Sequence, residues 1–94
     1  MSSSFRGVCA VVGCGPGLGG SIALKFAREG FAIAAMNRKA ESFAPTEKLL
    51  KDISATYRFY ATDSTDKASV QSSFTRVKQD LGSVNVLVYN AVSF

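Results

Sequence analysis

Five glycines fall within ten positions, "VVGCGPGLGG" from Val11 to Gly20, immediately behind an apolar run. No other stretch restricts the fold as much. Glycine takes positive φ at little cost and carries no Cβ, so a loop made of it can turn sharply and bring backbone amides against a ligand. A helix opening directly after such a loop adds unpaired N–H groups and partial positive charge, a combination suited to an anion. The segment therefore predicts a strand, a tight loop and a helix N-terminus arranged around a phosphate-sized space. Glycines that merely turn the chain are the alternative reading of the same letters.

The rest of the chain alternates strand and helix patterns. Residues 6–12 are a β-rich run. Over 18–29, Leu18, Ile22 and Phe26 recur at helical spacing, with Lys25 and Arg28 near the end and Gly30 placed to stop the helix. Residues 31–37, "FAIAAMN", stay apolar up to Asn37, as in a strand buried on both faces. A second helix is expected over 41–54, with Leu49, Leu50 and Ile53 as its apolar stripe and Pro45 acceptable only near its first turn. Residues 57–61 read as a third strand. Val70, Phe74, Val77 and Leu81 then mark an amphipathic helix, preceded by the N-cap candidates of "TDSTD" and closed by Gly82. "VNVLVY", 84–89, is a fourth strand. With right-handed crossovers this order gives an α/β fold, a Rossmann-like parallel sheet of strand order 3-2-1-4 with helices on both faces, truncated after the fourth strand. That strand would stand at an open edge with "VLV" exposed, which predicts self-association.

At 94 residues the chain fits one domain and leaves no room for a second. Its 47% hydrophobic and 19% charged residues are an ordinary globular composition. The uncharged apolar runs, 8–12 and 84–89 among them, are far short of the roughly 20 residues that cross a bilayer. "MSSSFRG" lacks the apolar core of a secretory signal, so a cytoplasmic protein without a membrane partner is expected. Two cysteines, Cys9 and Cys14, and no histidine exclude a zinc site or a disulfide framework. The net charge of +4 comes from basic residues scattered between Arg6 and Lys78 with no basic run, so no nucleic-acid partner is expected.

The glycines fit two registers. Gly15, Gly17 and Gly20 satisfy G-x-G-x-x-G, whereas Gly13, Gly17 and Gly19 satisfy G-x-x-x-G-x-G starting at the strand end. The second is the better fit, because Gly13 then forms the strand exit and Gly19 the close approach on the helix. In that register the sequence resembles the short-chain dehydrogenase/reductase family, whose cofactor loop T-G-x-x-x-G-[IL]-G is matched at every glycine by "VGCGPGLG", with Val12 in place of the Thr. "ATDSTD" resembles that family's Asp after the third strand. "LVYNAV" resembles its N-N-A-G after the fourth, with Asn90 and Ala91 retained, Tyr89 replacing the first Asn and Val92 replacing the Gly. The resemblance covers nearly the whole chain. It implies a nicotinamide dinucleotide held by Gly13, Gly15, Pro16, Gly17, Leu18 and Gly19, with Asp63 at the adenine amino group, Ser64 beside it, and Asn90 and Ala91 at the fourth strand end.

"GCGPG" also resembles the loop of many S-adenosylmethionine-dependent methyltransferases. Those need a carboxylate two positions before the first glycine and another at the end of strand 2, where this chain has Val11 and Asn37. The dinucleotide reading is therefore preferred. In Rossmann domains an acidic residue at the end of strand 2 accepts from the ribose 2′-OH of NAD, and an Arg there accommodates the 2′-phosphate of NADP. Here the strand ends in Asn37, Arg38 and Lys39. Arg38 can offer two parallel N–H donors to a phosphate and Lys39 a further charge, which predicts NADP(H) in preference to NAD(H). A solvated basic loop is the plain alternative.

The resemblance also implies hydride transfer between nicotinamide and a small carbonyl or alcohol substrate, with a Tyr-x-x-x-Lys pair as its acid/base machinery. Four positions after Tyr57, Tyr60 and Tyr89 stand Ala61, Ser64 and Ser93. No catalytic residue is assigned. Residues 1–94 read as the N-terminal dinucleotide-binding portion of an oxidoreductase, or as a nucleotide-binding module without chemistry of its own.

Overall fold

The structure, a computed structural model, describes residues 5–90. Its elements run β1 (Val8–Val12), α1 (Leu18–Arg28), β2 (Ala32–Asn37), α2 (Ala40–Asp52), β3 (Tyr57–Ala61), α3 (Lys67–Asp80) and β4 (Val84–Tyr89). The four strands form one parallel sheet in the order β3-β2-β1-β4. This is the Rossmann-like order expected from the alternation.

β1 and β2 lie in the middle, and every residue of β1 and all of β2 except Asn37 are buried. One face of the sheet, with Cys9, Val11, Ile33 and Ala35, is covered by Ala23 of α1 and Phe43 and Leu50 of α2. The other, with Val8, Ala10, Val12, Ala34, Met36 and Tyr60, is covered by Val77 of α3, with Phe74 and Leu81 packed at its rim. Small residues along β2 let helices settle closely on both sides. α3 is capped at its N-terminus by Asp66, whose carboxylate accepts from the amides of Ala68 and Ser69. Gly30, at φ 98°, reverses the chain between α1 and β2 in a conformation open mainly to glycine.

Three expectations from the sequence change. The buried stripe of α2 is Phe43, Thr46 and Leu50, spaced i, i+3 and i+7, while Leu49 and Ile53 are 48% and 37% exposed. A helix turns about 100° per residue, so once Phe43 and Leu50 face the sheet, Leu49 must face away. Pro45 lies in the second turn of this helix rather than the first. Having no N–H, it leaves the Glu41 carbonyl without its usual i+4 donor. Along β4, of Val86, Leu87 and Val88 only Leu87 is exposed; the two valines are half-buried against the α1 face.

Candidate functional site

Because the strands are parallel, all four end at the same edge of the sheet, and their exits surround a cavity of about 500 Å³. The end of β1 supplies the first wall. Gly13 turns the chain at φ 87°, and its amide and that of Cys14 both donate to the Met36 carbonyl, at 2.8 and 2.9 Å. These two bonds fasten the loop to β2 through the backbone, where Val12 offers no hydroxyl. The loop then folds back, Gly15 N–H donating to the Gly13 carbonyl at 3.0 Å, before α1 begins at Leu18.

Gly19 is where the helix meets the strand. A Cβ there would land on the Gly13 carbonyl oxygen and lie 3.0 Å from Asn90 Nδ2, so the contact excludes any side chain. Gly20 is equally confined, between the Gly15 carbonyl and Thr46. Both glycine registers of the sequence thus end on a residue that packs too closely for a Cβ. In front of Gly17 there is no atom within 4 Å of a notional Cβ, which is open cavity. α1 has no capping side chain and no acidic residue in its first turn. Its leading N–H groups, which lack intrahelical acceptors in any helix, carry partial positive charge that no carboxylate in that turn neutralises.

Gly13, Gly15, Gly17, Leu18 and Gly19 line the cavity, and Leu18 stays 66% exposed there. From the end of β2 come Asn37 and Arg38. Asn37 accepts the Lys39 amide on Oδ1 at 3.1 Å, and its Nδ2 faces Gly15. Ser64 joins from beyond β3 and Asn90 from β4, the latter tied to β1 by its amide on the Val12 carbonyl at 2.8 Å.

Three residues singled out in the sequence lie outside this wall: Pro16, exposed on the loop; Lys39, the exposed N-cap residue of α2; and Asp63. The Asp63 carboxylate is occupied locally. Its Oδ1 accepts the Thr65 hydroxyl at 2.7 Å and the Thr65 amide at 3.0 Å. Those two bonds, with a smaller contribution from Arg38, hold its pKa below the usual carboxylate value. Ala91 lies outside the described residues. Conversely, Val12 and Thr62 belong to the wall although neither was a candidate site residue in the sequence. Thr62 is buried, its hydroxyl donating to the Tyr60 carbonyl at 3.0 Å and sharing a 2.6 Å bond with Ser73 Oγ. Its one sequence signal was its place at the strand exit beside Asp63. Tyr89 reaches across the α3 side of the mouth, its hydroxyl donating to the Ser64 carbonyl at 3.2 Å.

Both thiols are closed off from this chemistry. Cys9 and Cys14 are fully buried and unpaired, and burial pushes their pKa values up to about 11 and about 12. Among the described residues no group of His, Cys, Asp or Glu could hold a metal ion, and no helix is long and apolar enough to cross a membrane.

The family model for short chain dehydrogenases matches residues 7–93. The chain belongs to that family. L-2,3-butanediol dehydrogenase of Corynebacterium glutamicum is 36% identical over 86 residues, which cover 89% of this chain and 33% of the enzyme. D-threitol dehydrogenase of Mycolicibacterium smegmatis is 33% identical, across 89% of this chain and 32% of its own. Among solved structures, 2-keto-3-deoxy-D-gluconate dehydrogenase from Streptococcus agalactiae superposes with a TM-score of 0.85 at 29% identity, covering 98% of this chain and 35% of that one. L-Sorbose reductase from Gluconobacter frateurii, complexed with NADPH and L-sorbose, shares the fold at a TM-score of 0.85 and 24% identity. The chain therefore spans about a third of the length of the relatives it matches. The match is to the N-terminal, nucleotide-binding Rossmann part of this short-chain dehydrogenase family.

Proposed function

We propose that residues 1–94 are the NADP(H)-binding portion of a cytoplasmic short-chain dehydrogenase/reductase that interconverts a small carbonyl and its alcohol. The observation that carries this reading is that the glycine loop and Arg38 line one cavity with no carboxylate in its wall. The cradle fits the cofactor in two respects. The space in front of Gly17 is what a diphosphate needs beside the first amides of α1, and that helix end has no acidic residue to compete with it. Arg38, exposed at the end of β2, can offer a two-pronged donor set to a ribose 2′-phosphate.

In this reading the amides of Gly17, Leu18 and Gly19 bind the diphosphate. Ser64 and Asn90 flank the adenosine half, with Ala91 beside Asn90. Asp63 acts from behind, its carboxylate fixing the turn that presents Ser64, and Lys39 and Pro16 contribute charge and shape at the rim. When bound, the cofactor supplies a hydride at its nicotinamide ring. The family's Tyr-x-x-x-Lys is not found in these 94 residues, so the reading is confined to cofactor binding.

NADPH and NADH titrations of the wild type and Arg38→Ala, followed by cofactor fluorescence, test the assignment. Loss of charge-assisted bonds worth roughly 1.5–3 kcal/mol should weaken NADPH about 10- to 100-fold and leave NADH nearly unchanged. Equal affinities for the two cofactors in the wild type, or an unaltered ratio in the variant, defeat the preference. Self-association through the open edge of β4 is part of the same proposal. A single monomeric species in sedimentation across micromolar concentrations removes it.

A further inference from the structure

Thr46 sits on α2, in none of the motifs that drew attention to the loop, and is 3% exposed. A threonine within a helix ordinarily returns its hydroxyl to a carbonyl of its own preceding turn. Here the hydroxyl leaves the helix instead and donates to the Gly15 carbonyl at 3.0 Å. It can do so because Gly20 of α1 has no side chain, since a Cβ there would land on both the Thr46 hydroxyl and the Gly15 oxygen. Three elements meet at this point: α2 provides the donor, α1 the gap and the loop the acceptor.

The acceptor matters because its neighbour in the chain is a proline. The Gly15–Pro16 peptide has a carbonyl and no N–H, and proline restricts both its own φ and the conformation of the residue before it. Anchoring that carbonyl fixes the plane of the Gly15–Pro16 peptide; with Pro16 φ held by its ring, only Pro16 ψ then separates this fixed plane from the peptide that carries the Gly17 amide into the cavity.

We propose that Thr46 is a positioning residue for the diphosphate-binding loop, acting through the Gly15 carbonyl without touching the ligand. This rests on the dinucleotide reading of the site. It extends that reading to a residue 31 positions away in the chain.

The test compares Thr46→Val, Thr46→Ala and Thr46→Ser with the wild type, using NADPH and, as a probe lacking the diphosphate, adenosine 2′-monophosphate. Amide hydrogen exchange of the unliganded proteins is measured alongside. Loss of one buried hydrogen bond should weaken NADPH about 3- to 10-fold in the Val and Ala variants. Adenosine 2′-monophosphate should change less than about twofold, on the same principle that the bond serves the loop alone. Exchange at Gly15 and Ser21, the hydrogen-bonded amides that flank this segment, should accelerate, and Ser should restore both readouts. A lowered melting temperature with unchanged NADPH affinity and unchanged exchange at Gly15 and Ser21 overturns the proposal and leaves Thr46 a packing residue. Equal weakening of both probes overturns it as well. If Val fails to fold, Ala against Ser decides. Wild-type protein that binds neither NADPH nor NADH defeats the site reading and this inference together, whereas normal wild-type binding with an unaffected Val variant defeats only the inference.

Discussion

β2 and β4 flank the same central strand with apolar runs of equal length, "AIAAMN" and "VNVLVY", yet they end in different surroundings. In register with Ala10 of β1 stand Ala34 of β2, fully buried, and Leu87 of β4, 57% exposed. β2 is roofed on both faces, by α1 and α2 on one side and α3 on the other. β4 is packed through Val86 and Val88 against the α1 face, while Leu87 and Tyr89 on the opposite face extend beyond the reach of α3. An apolar run thus reports what a strand can bury, and its neighbours in space decide what it does bury.

The contrast can be tested from its strongest side first. Ile33→Ala, at a fully buried position of β2, should cost about 2–5 kcal/mol in urea unfolding, because the transfer loss is compounded by a cavity between helices and sheet. A cost near zero would mean that the centre of the sheet is not a packed layer.

The buried thiols probe the same central strand and its loop through pH. Cys9 and Cys14 keep their protons in the folded state up to about pH 11 and about pH 12, whereas in the unfolded chain they ionise around the ordinary value of 9.0. Their folded pKa values are raised, so their contribution is intact below pH 9 and lost as pH rises toward 11 to 12. Stability should fall by about 2–3 kcal/mol between pH 8 and pH 10. The Cys9→Ala, Cys14→Ala double variant should show a shallower slope. The same dependence in that variant assigns it to other groups.

Leu87→Ala completes the series with a change within about 0.5 kcal/mol, as expected for an exposed side chain. A loss as large as that of Ile33→Ala would show that the α3 face of β4 is covered in solution, and would join the two strands rather than separate them.

Much of this molecule was legible because local chemistry and global fold agree. Seven elements in alternation, the exits at Gly13 and Gly30, and the strand order follow from apolar period, glycine placement and the handedness of crossovers. That the loop glycines, Leu18 and Arg38 would come to line one cavity was legible for the same reason, since parallel strands bring their ends to one edge. What escaped were matters of facing. Leu49 looked like core because it adjoins Leu50, yet it faces away from the sheet, and nothing in the letters of "ATDSTD" showed that Thr65 would hold the Asp63 carboxylate. Thr46 carried no signal at all, since its hydroxyl acquires meaning only when α2 lies against α1 at Gly20.

Where the chain turns and which segments pair were already set by the order of its residues, because φ restrictions and hydrophobic period act over a few residues at a time. Which side chains meet across those segments was left to the packed fold: Gly19 against Gly13, Thr46 against Gly15, Leu87 against solvent. Such contacts depend on packing between elements far apart in the chain, at distances where a single Cβ or hydroxyl decides whether two backbones can touch.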